Sequence, residues 1–222
     1  MKKISLFVVA FSMSLAVIAQ ENVNRTAMAV KPYFGIKAGV NLAKLRPDNY
    51  TTNEPETDLK TTAHAGAFVN IPLNTTGTFA LQPELLYNRA GSKMRTTTTV
   101  GTITTTNTYE QDLHYLSVPI MIQGRSKGGF FVETGPQASY LLNAQQEGPG
   151  NNNETRNKDS FDGFELSWGL GLGYMSRVGL GIGARYNHGL TNIVEEGSAN
   201  AGPELQNSVI SIGLKYMFGA AK

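Results

Sequence analysis

Cysteine is absent from the 222 residues. That excludes a disulfide framework, a thiolate metal site, a cysteine nucleophile and a lipid-modified N-terminal cysteine. Histidine occurs only three times, as His64, His114 and His188, so a multi-histidine metal centre is poorly supplied. Charged residues make up 16% of the chain and the formal net charge is +2, which excludes a strongly basic nucleic-acid binder. After residue 20 no long apolar run occurs, so no α-helical membrane span is expected. Glycine is abundant instead: 24 residues, about 11% of the chain against a usual ~7%.

The N-terminus reads as a leader. Lys2 and Lys3 precede an apolar run from Ile4 to Ala19, shorter than the ~20 residues a spanning helix needs. Two cations, a short apolar core and a small residue at its end describe a secretory signal peptide over 1–19. Val17 and Ala19 occupy the two positions that precede a cut, which places cleavage near Gln20. Without Lys2 and Lys3, the 19 basic residues fall to 17 and balance 17 acidic ones, so the exported chain is formally neutral.

The rest of the chain alternates with a period of two. Phe34, Ile36, Ala38, Val40 and Leu42 fall on one face of a strand, and Gly35, Lys37, Gly39 and Asn41 on the other. Seven further segments repeat the pattern, at 65–71, 79–88, 115–123, 130–140, 164–174, 178–187 and 210–218. Three connections are tight turns, at Leu73–Gly77, Gly124–Gly128 and Met175–Arg177. The other four, near 45–62, 91–110, 143–160 and 191–207, are long and polar. Long loops at one end of a meander and short turns at the other are the pattern of outer-membrane barrels, with the short turns in the periplasm.

Charge decides which face points out. The apolar faces carry no Lys, Arg, Asp or Glu, whereas the opposite faces carry Lys37, Glu84, Glu133, Glu165, Arg185 and Lys215 among many glycines. A soluble barrel would put the apolar face inside, but an eight-strand interior has room only for side chains, and a face of glycines with a few long charged residues suits a polar interior closed by ion pairs. A lipid-facing Arg or Lys costs ~2–4 kcal/mol at the bilayer midplane, so the uncharged face belongs outside. The fold class expected is therefore all-β: an eight-stranded antiparallel up-and-down transmembrane β-barrel over 33–218. A periplasmic segment (20–32) precedes it and a short tail (219–222) follows. The location expected is the bacterial outer membrane of a Gram-negative envelope.

The final strand adds a delivery signal. Ser211, Gly213, Tyr216 and Phe218 resemble the terminal-strand pattern read by the barrel assembly machinery, although that signal commonly ends on the aromatic. The six inward charges read as a structural ion-pair network that closes the lumen, with Arg185 and Glu84 the first pairing expected. Their alternative use is a gated polar pathway. The three histidines map near the outer rim. With Ser92 or Ser117 they are the candidates for a lipid-modifying site, but no spacing compels a triad, and neither enzymatic activity nor a cofactor or metal is expected. The Thr-rich stretch Thr96–Thr99 and Thr102–Thr108 reads as a surface loop, with a hairpin extension as the alternative. Pro83, Pro119 and Pro136 fall inside strands, where local bulges are expected. Gly169-x-Gly171-x-Gly173 and Gly179-x-Gly181-x-Gly183 lie at strand period with no following helix and are not nucleotide loops.

Five stretches, in order, carry a family likeness. They are Gly35-Ile-Lys-Ala-Gly39-Val-Asn41-Leu, Leu81-Gln-Pro83-Glu84-Leu-Leu-Tyr87, Tyr115-Leu-Ser-Val-Pro119, Gly171-Leu-Gly-Tyr174 and Ala184-Arg185-Tyr186-Asn187-His-Gly189-Leu190. Together they resemble the PorT-like outer-membrane β-barrel family, also labelled "porin family", of Bacteroidetes-type bacteria, over about 33–218. The resemblance implies an eight-strand outer-membrane barrel, and one branch of that family serves type IX protein secretion. Three roles stay open: a binding or assembly component acting through surface loops, a narrow passive pore, and a lipid-modifying enzyme. The partners expected are outer-membrane lipid, the barrel assembly machinery, and envelope or secretion proteins; nucleic acid is not among them.

Overall fold

The computed structural model describes residues 31–47, 56–100, 102–148, 154–156, 158, 161–193 and 205–219. The leader expected at 1–19, the cut near Gln20, most of 20–32 and the end of the 219–222 tail lie outside the described residues. Alternation drives nearly all of the chain into strands. In order these are β1 (Tyr33–Pro47), β2 (Glu56–Asp58), β3 (Lys60–Pro72), β4 (Phe79–Val100), β5 (Ile103–Arg125), β6 (Phe130–Glu147), β7 (Glu154–Arg156), β8 (Phe164–Met175), β9 (Leu180–Gly189) and β10 (Leu205–Met217).

Eight of these segments form the wall. The antiparallel ladder runs β1–β3–β4–β5–β6–β8–β9–β10, and β10 returns to β1 from Gly35↔Met217 to Pro47↔Leu205. Closure leaves the wall no open edge, which a lipid environment requires of strands. The short segments β2 and β7 extend β4 and β6 beyond the wall. No helix among the described residues is long and apolar enough to cross a membrane; the strands do the crossing.

Each wall strand presents alternate faces to lipid and lumen. In β8, Phe164, Leu166, Trp168, Leu170 and Leu172 are exposed, while Glu165, Ser167, Gly169 and Gly171 are buried. The outward row continues around the ring through Ile36, Val40, Leu85, Ile122, Val132, Leu180, Ile182, Ile212 and Leu214, all exposed. A continuous apolar exterior of this size marks a surface made for lipid.

The three tight turns share one design. Gly77, Gly129 and Gly179 donate their backbone N–H to Asn74, Ser126 and Ser176 at 3.1 Å each. All three glycines have positive φ, the conformation that ends a type I turn as a bulge into the next strand. These turns, the start of β1 and the end of β10 lie at one end, the periplasmic one by the rule for such barrels.

Two expectations are corrected. The segment near 91–110 is not a loop: β4 and β5 continue far past the apolar belt and stay paired from Lys93↔Glu110 to Val100↔Ile103. The threonines that suggested a polar loop are β-branched, and in register they favour a ladder. The bulges expected at the prolines are also not there. Register passes unshifted across Pro83 (Phe68↔Glu84, Ile71↔Leu81), Pro119 (Leu86↔Ser117, Pro83↔Ile120) and Pro136 (Pro119↔Gln137, Ile122↔Thr134). A proline removes one N–H but inserts no residue, so the ladder skips a step and resumes. The register shift falls instead where His114↔Asn143 gives way to Tyr115↔Leu141. Leu142 is the extra residue there, and beyond it Ala144 rather than Asn143 turns inward.

Candidate functional site

The lumen is the place where this chain gathers its chemistry. Five strands supply the mid-barrel ions: Lys37 from β1, Glu84 from β4, Glu133 from β6, Arg185 from β9 and Lys215 from β10. Arg185 stands at their centre. Its Nη1 and Nη2 donate to Glu84 Oε2 and Oε1 at 2.9 and 2.7 Å, a bidentate pair. Its Nε and Nη2 donate to Glu133 Oε1 at 2.9 and 2.5 Å. Lys37 Nζ donates to Glu84 Oε2 at 3.1 Å, and Gln82 Nε2 to Glu84 Oε1 at 2.8 Å. Lys215 Nζ lies 3.6 Å from Glu133 Oε2 and 3.8 Å above the centre of the Phe131 ring. Both carboxylates are buried and share one guanidinium, with Lys37 and Lys215 as their further counter-charges.

Glu165 stands apart from these five. It accepts 2.6 Å from Asn207 Nδ2, which also donates to Tyr115 Oη at 3.3 Å. Among the described residues it has no ion pair.

Glycines make room for the long inward chains. Gly39, Gly213, Gly183 and Gly173 lie in one register row across β1, β10, β9 and β8. A Cβ on Gly173 would stand 2.4 Å from Phe131 Cζ, and one on Gly39 2.7 Å from His64 Cε1. Phe131 and His64, the residues paired with these glycines on the neighbouring strands, therefore lean over bare backbone.

Sequence reasoning missed the apolar part of this interior. Phe68, Phe131, Met175 and Met217, with Tyr33 beside them, form a buried cluster next to the periplasmic turns. Ala43, Leu45, Ala90, Leu113, Tyr115, Leu141, Ala144 and Val209 form a second one toward the outer end, completed by Phe161 and Ile193 from the connections. Asp162 N donates to Ile193 O at 2.8 Å and Ile193 N to Leu205 O at 2.9 Å, which ties those connections together over the lumen. Part of the signal was present: Tyr33, Ala43 and Leu45 have the parity of Lys37, Ala90 that of Glu84, Phe131 and Leu141 that of Glu133, Met175 that of Glu165, and Val209 and Met217 that of Lys215, whereas Ala144 departs from its strand's parity at the Leu142 bulge. Between the clusters the ion layer leaves a cavity of about 20 Å³ beside Lys37, His64 and Arg185. A second of about 10 Å³ lies beside Tyr115, Glu165 and Asn207. Each has room for about one water.

The other candidate residues lie as follows. His64 is not at the rim, because β3 begins at Lys60 and carries it inward: its Nδ1 lies 2.8 Å from Asn41 Oδ1, and it is buried. His114 meets Tyr87 Oη on the outer wall. His188 lies 3.3 Å from Arg46 Nη2 and 3.3 Å from Tyr186 Oη. Ser117 is buried against Ser139, 2.9 Å apart, and Ser92 is buried on β4. Among the described residues no group of three or more His, Asp and Glu is placed to hold a metal ion. In β10, Ser211 Oγ donates to Asn41 Oδ1 at 2.8 Å and Gly213 faces Gly39. Tyr216 and Phe218 face out, packed edge to face with centroids 5.1 Å apart.

Outside the apolar belt the ions are of a different kind. Lys93 Nζ lies 2.7 Å from Glu110 Oε1, Lys60 Nζ 2.7 Å from Asp112 Oδ2, and Arg95 Nη2 3.2 Å from Asp58 Oδ2. The hydrogen bond from Lys93 holds the Glu110 carboxyl below the usual range, and the same bond pushes the Lys93 ammonium up.

The profile of the family described as outer membrane protein beta-barrel domain matches residues 19–195. No curated protein matches the chain. Among solved structures, the attachment invasion locus protein Ail of Yersinia pestis is similar, with 13% identity, a TM-score of 0.45, and 85% of this chain and 100% of that one covered. Neisserial surface protein A has 11% identity, a TM-score of 0.48, and 85% and 100% covered. OprG of Pseudomonas aeruginosa has 13% identity, a TM-score of 0.38, and 84% and 95% covered. A ring closed by β1 and β10, an apolar outside and a family profile over most of its length lead to one assignment: the chain belongs to the outer membrane protein beta-barrel domain family, as a bacterial outer-membrane barrel.

Proposed function

We propose that this barrel is a non-conducting structural or binding component of the outer membrane, acting through the loops and the β4–β5 hairpin at its outer end. The observation that carries this reading is the filling of the lumen. An eight-strand interior has space for side chains and little else. Here an ion layer and two apolar clusters occupy it, with cavities of about 20 and 10 Å³. The inward charges Lys37, Glu84, Glu133, Arg185 and Lys215 act as a structural network that closes the lumen and fixes strand register, and Glu165 supports the layer above them. Ser211, Gly213, Tyr216 and Phe218 form the signal that delivers the chain to the assembly machinery.

The five stretches of family likeness support a finer reading, membership of the PorT-like branch with a link to protein secretion. Two experiments test the proposal. Crosslinking in cells, followed by purification, is expected to retain envelope proteins with the intact chain and to lose them when the hairpin is cut back to residues 93 and 110. The same partners retained after trimming would contradict a role for the hairpin. Deleting the gene is expected to impair type IX cargo secretion, and undiminished secretion would separate the protein from that branch.

A further inference from the structure

The periplasmic mouth holds a cavity of about 520 Å³, open between the turns. Its size lies within the ~300–1,000 Å³ usual for small-molecule sites. Met175, Met217, Tyr33 and Tyr174 give it an apolar floor and side, and Arg125, Lys127 and Arg177 line it. None of its lining residues is Asp or Glu. None of the three cations makes an ion pair among the described residues. The acids are elsewhere: every described Asp and Glu lies in the lumen or toward the outer end.

The cations are placed rather than scattered. Ser126-Lys127-Gly128-Gly129 and Ser176-Arg177-Val178-Gly179 are the same turn twice, closed at 3.1 Å from glycine N to serine O, with the cation at the second position of each. Arg125 is fixed from behind. Its Nη2 donates to Gln123 Oε1 at 2.8 Å, and Gln123, fully buried, donates in turn to Glu133 at 3.2 Å. The Nε of Arg125 is buried and has no hydrogen-bond partner. The guanidinium lines the cup with no counter-ion among the described residues, and an anion there would supply one.

We propose that this periplasmic cup binds a phosphate-bearing ligand, with Arg125 as the fixed donor and Lys127 and Arg177 as the rim. A phosphate monoester or diester offers several oxygens to a guanidinium fork and to two point charges. The cavity exceeds what a bare ion needs, and its apolar floor takes the organic part of the ligand. The phosphate has two sources: the headgroup of an anionic phospholipid of the inner leaflet, or a soluble phosphate ester in the periplasm.

The test uses the purified full chain, with folding verified by heat-modifiable gel mobility. Calorimetric titration with glycerol 3-phosphate in zwitterionic detergent reads the soluble source. Retention of phosphatidylglycerol over phosphatidylcholine by the chain in nanodiscs, counted by native mass spectrometry, reads the lipid source. Binding in either arm supports the proposal and identifies the source. The double variant K127Q/R177Q changes only exposed turn residues and is expected to weaken that binding about tenfold, and R125Q more. Lys44→Gln, at the outer end, is expected to leave it unchanged. No binding in either arm, or binding undiminished in folded K127Q/R177Q, would overturn the proposal.

Discussion

The middle of the lumen and its two ends fill the same cross-section with opposite chemistry. At mid-height Glu84 and Glu133 share Arg185, and Lys37 and Lys215 close the set. Toward the turns Phe68, Phe131, Met175 and Met217 take over, and toward the outer end Leu45, Leu113 and Leu141 do. Lys215 joins the two regimes, because its ammonium lies between Glu133 and the Phe131 ring. Apolar layers exclude water at little cost but accept many packings. A buried ion layer costs desolvation but accepts one arrangement, since each carboxylate must meet its base. Placing ions in the middle and hydrocarbon at both ends shields the ions and fixes how the strands line up.

The sharpest way to break this contrast is to remove its centre. R185M leaves two buried carboxylates facing each other, and it is expected to cost ~3–5 kcal/mol in urea unfolding of the refolded barrel. Removing all five charges (K37M/E84Q/E133Q/R185M/K215M) is expected to recover much of that loss. An R185M barrel as stable as the parent would show that the middle is filled, not paired. The apolar end is tested next by Phe131→Ala, expected to cost ~3 kcal/mol in the same assay through the cavity it leaves and the ring it takes from Lys215. Ile193→Ala, in the outer cluster, is expected to cost ~2 kcal/mol, less because its connection relaxes into the space.

The smallest effect separates buried ions from wet ones. Glu110→Gln removes pairs with Lys93 and Lys60 at the outer end and is expected to cost less than ~1 kcal/mol. Because the folded Glu110 carboxyl sits below its ordinary ~4.3, its contribution is present above that value and is lost as pH falls through the lowered one. Urea midpoints of parent and E110Q are therefore expected to differ slightly at pH 6 and to converge well below pH 4. A gap that persists in acid would assign the effect to packing.

Strand alternation made the wall legible from residues alone. Ile36, Leu85, Leu170 and Ile212, each on the uncharged face of its own strand, have no polar reason to face the same way, and lipid supplies the reason. The inward positions of Glu84 and Arg185 follow from the same parity. The apolar clusters were not legible in this way, because Phe68, Met175 and Leu113 look like stray hydrophobes on a polar face until the ring closes and brings them together. Leu142 hides a bulge, since one extra residue in a strand changes no composition. The 91–110 hairpin was misjudged because threonine serves loops and ladders alike, and only the pairing of Thr96 with Asn107 decides between them. The periplasmic cup is lined from three turns far apart in sequence, so Arg177 joins Arg125 and Lys127 only in the folded chain.

Closure of the lumen is the central claim, and single-channel recording tests it most directly. The refolded barrel, verified by heat-modifiable mobility, is expected to be silent in planar bilayers. Reproducible conductance that changes with substitution of Glu84 or Arg185 would contradict the closed lumen and make transport the leading function.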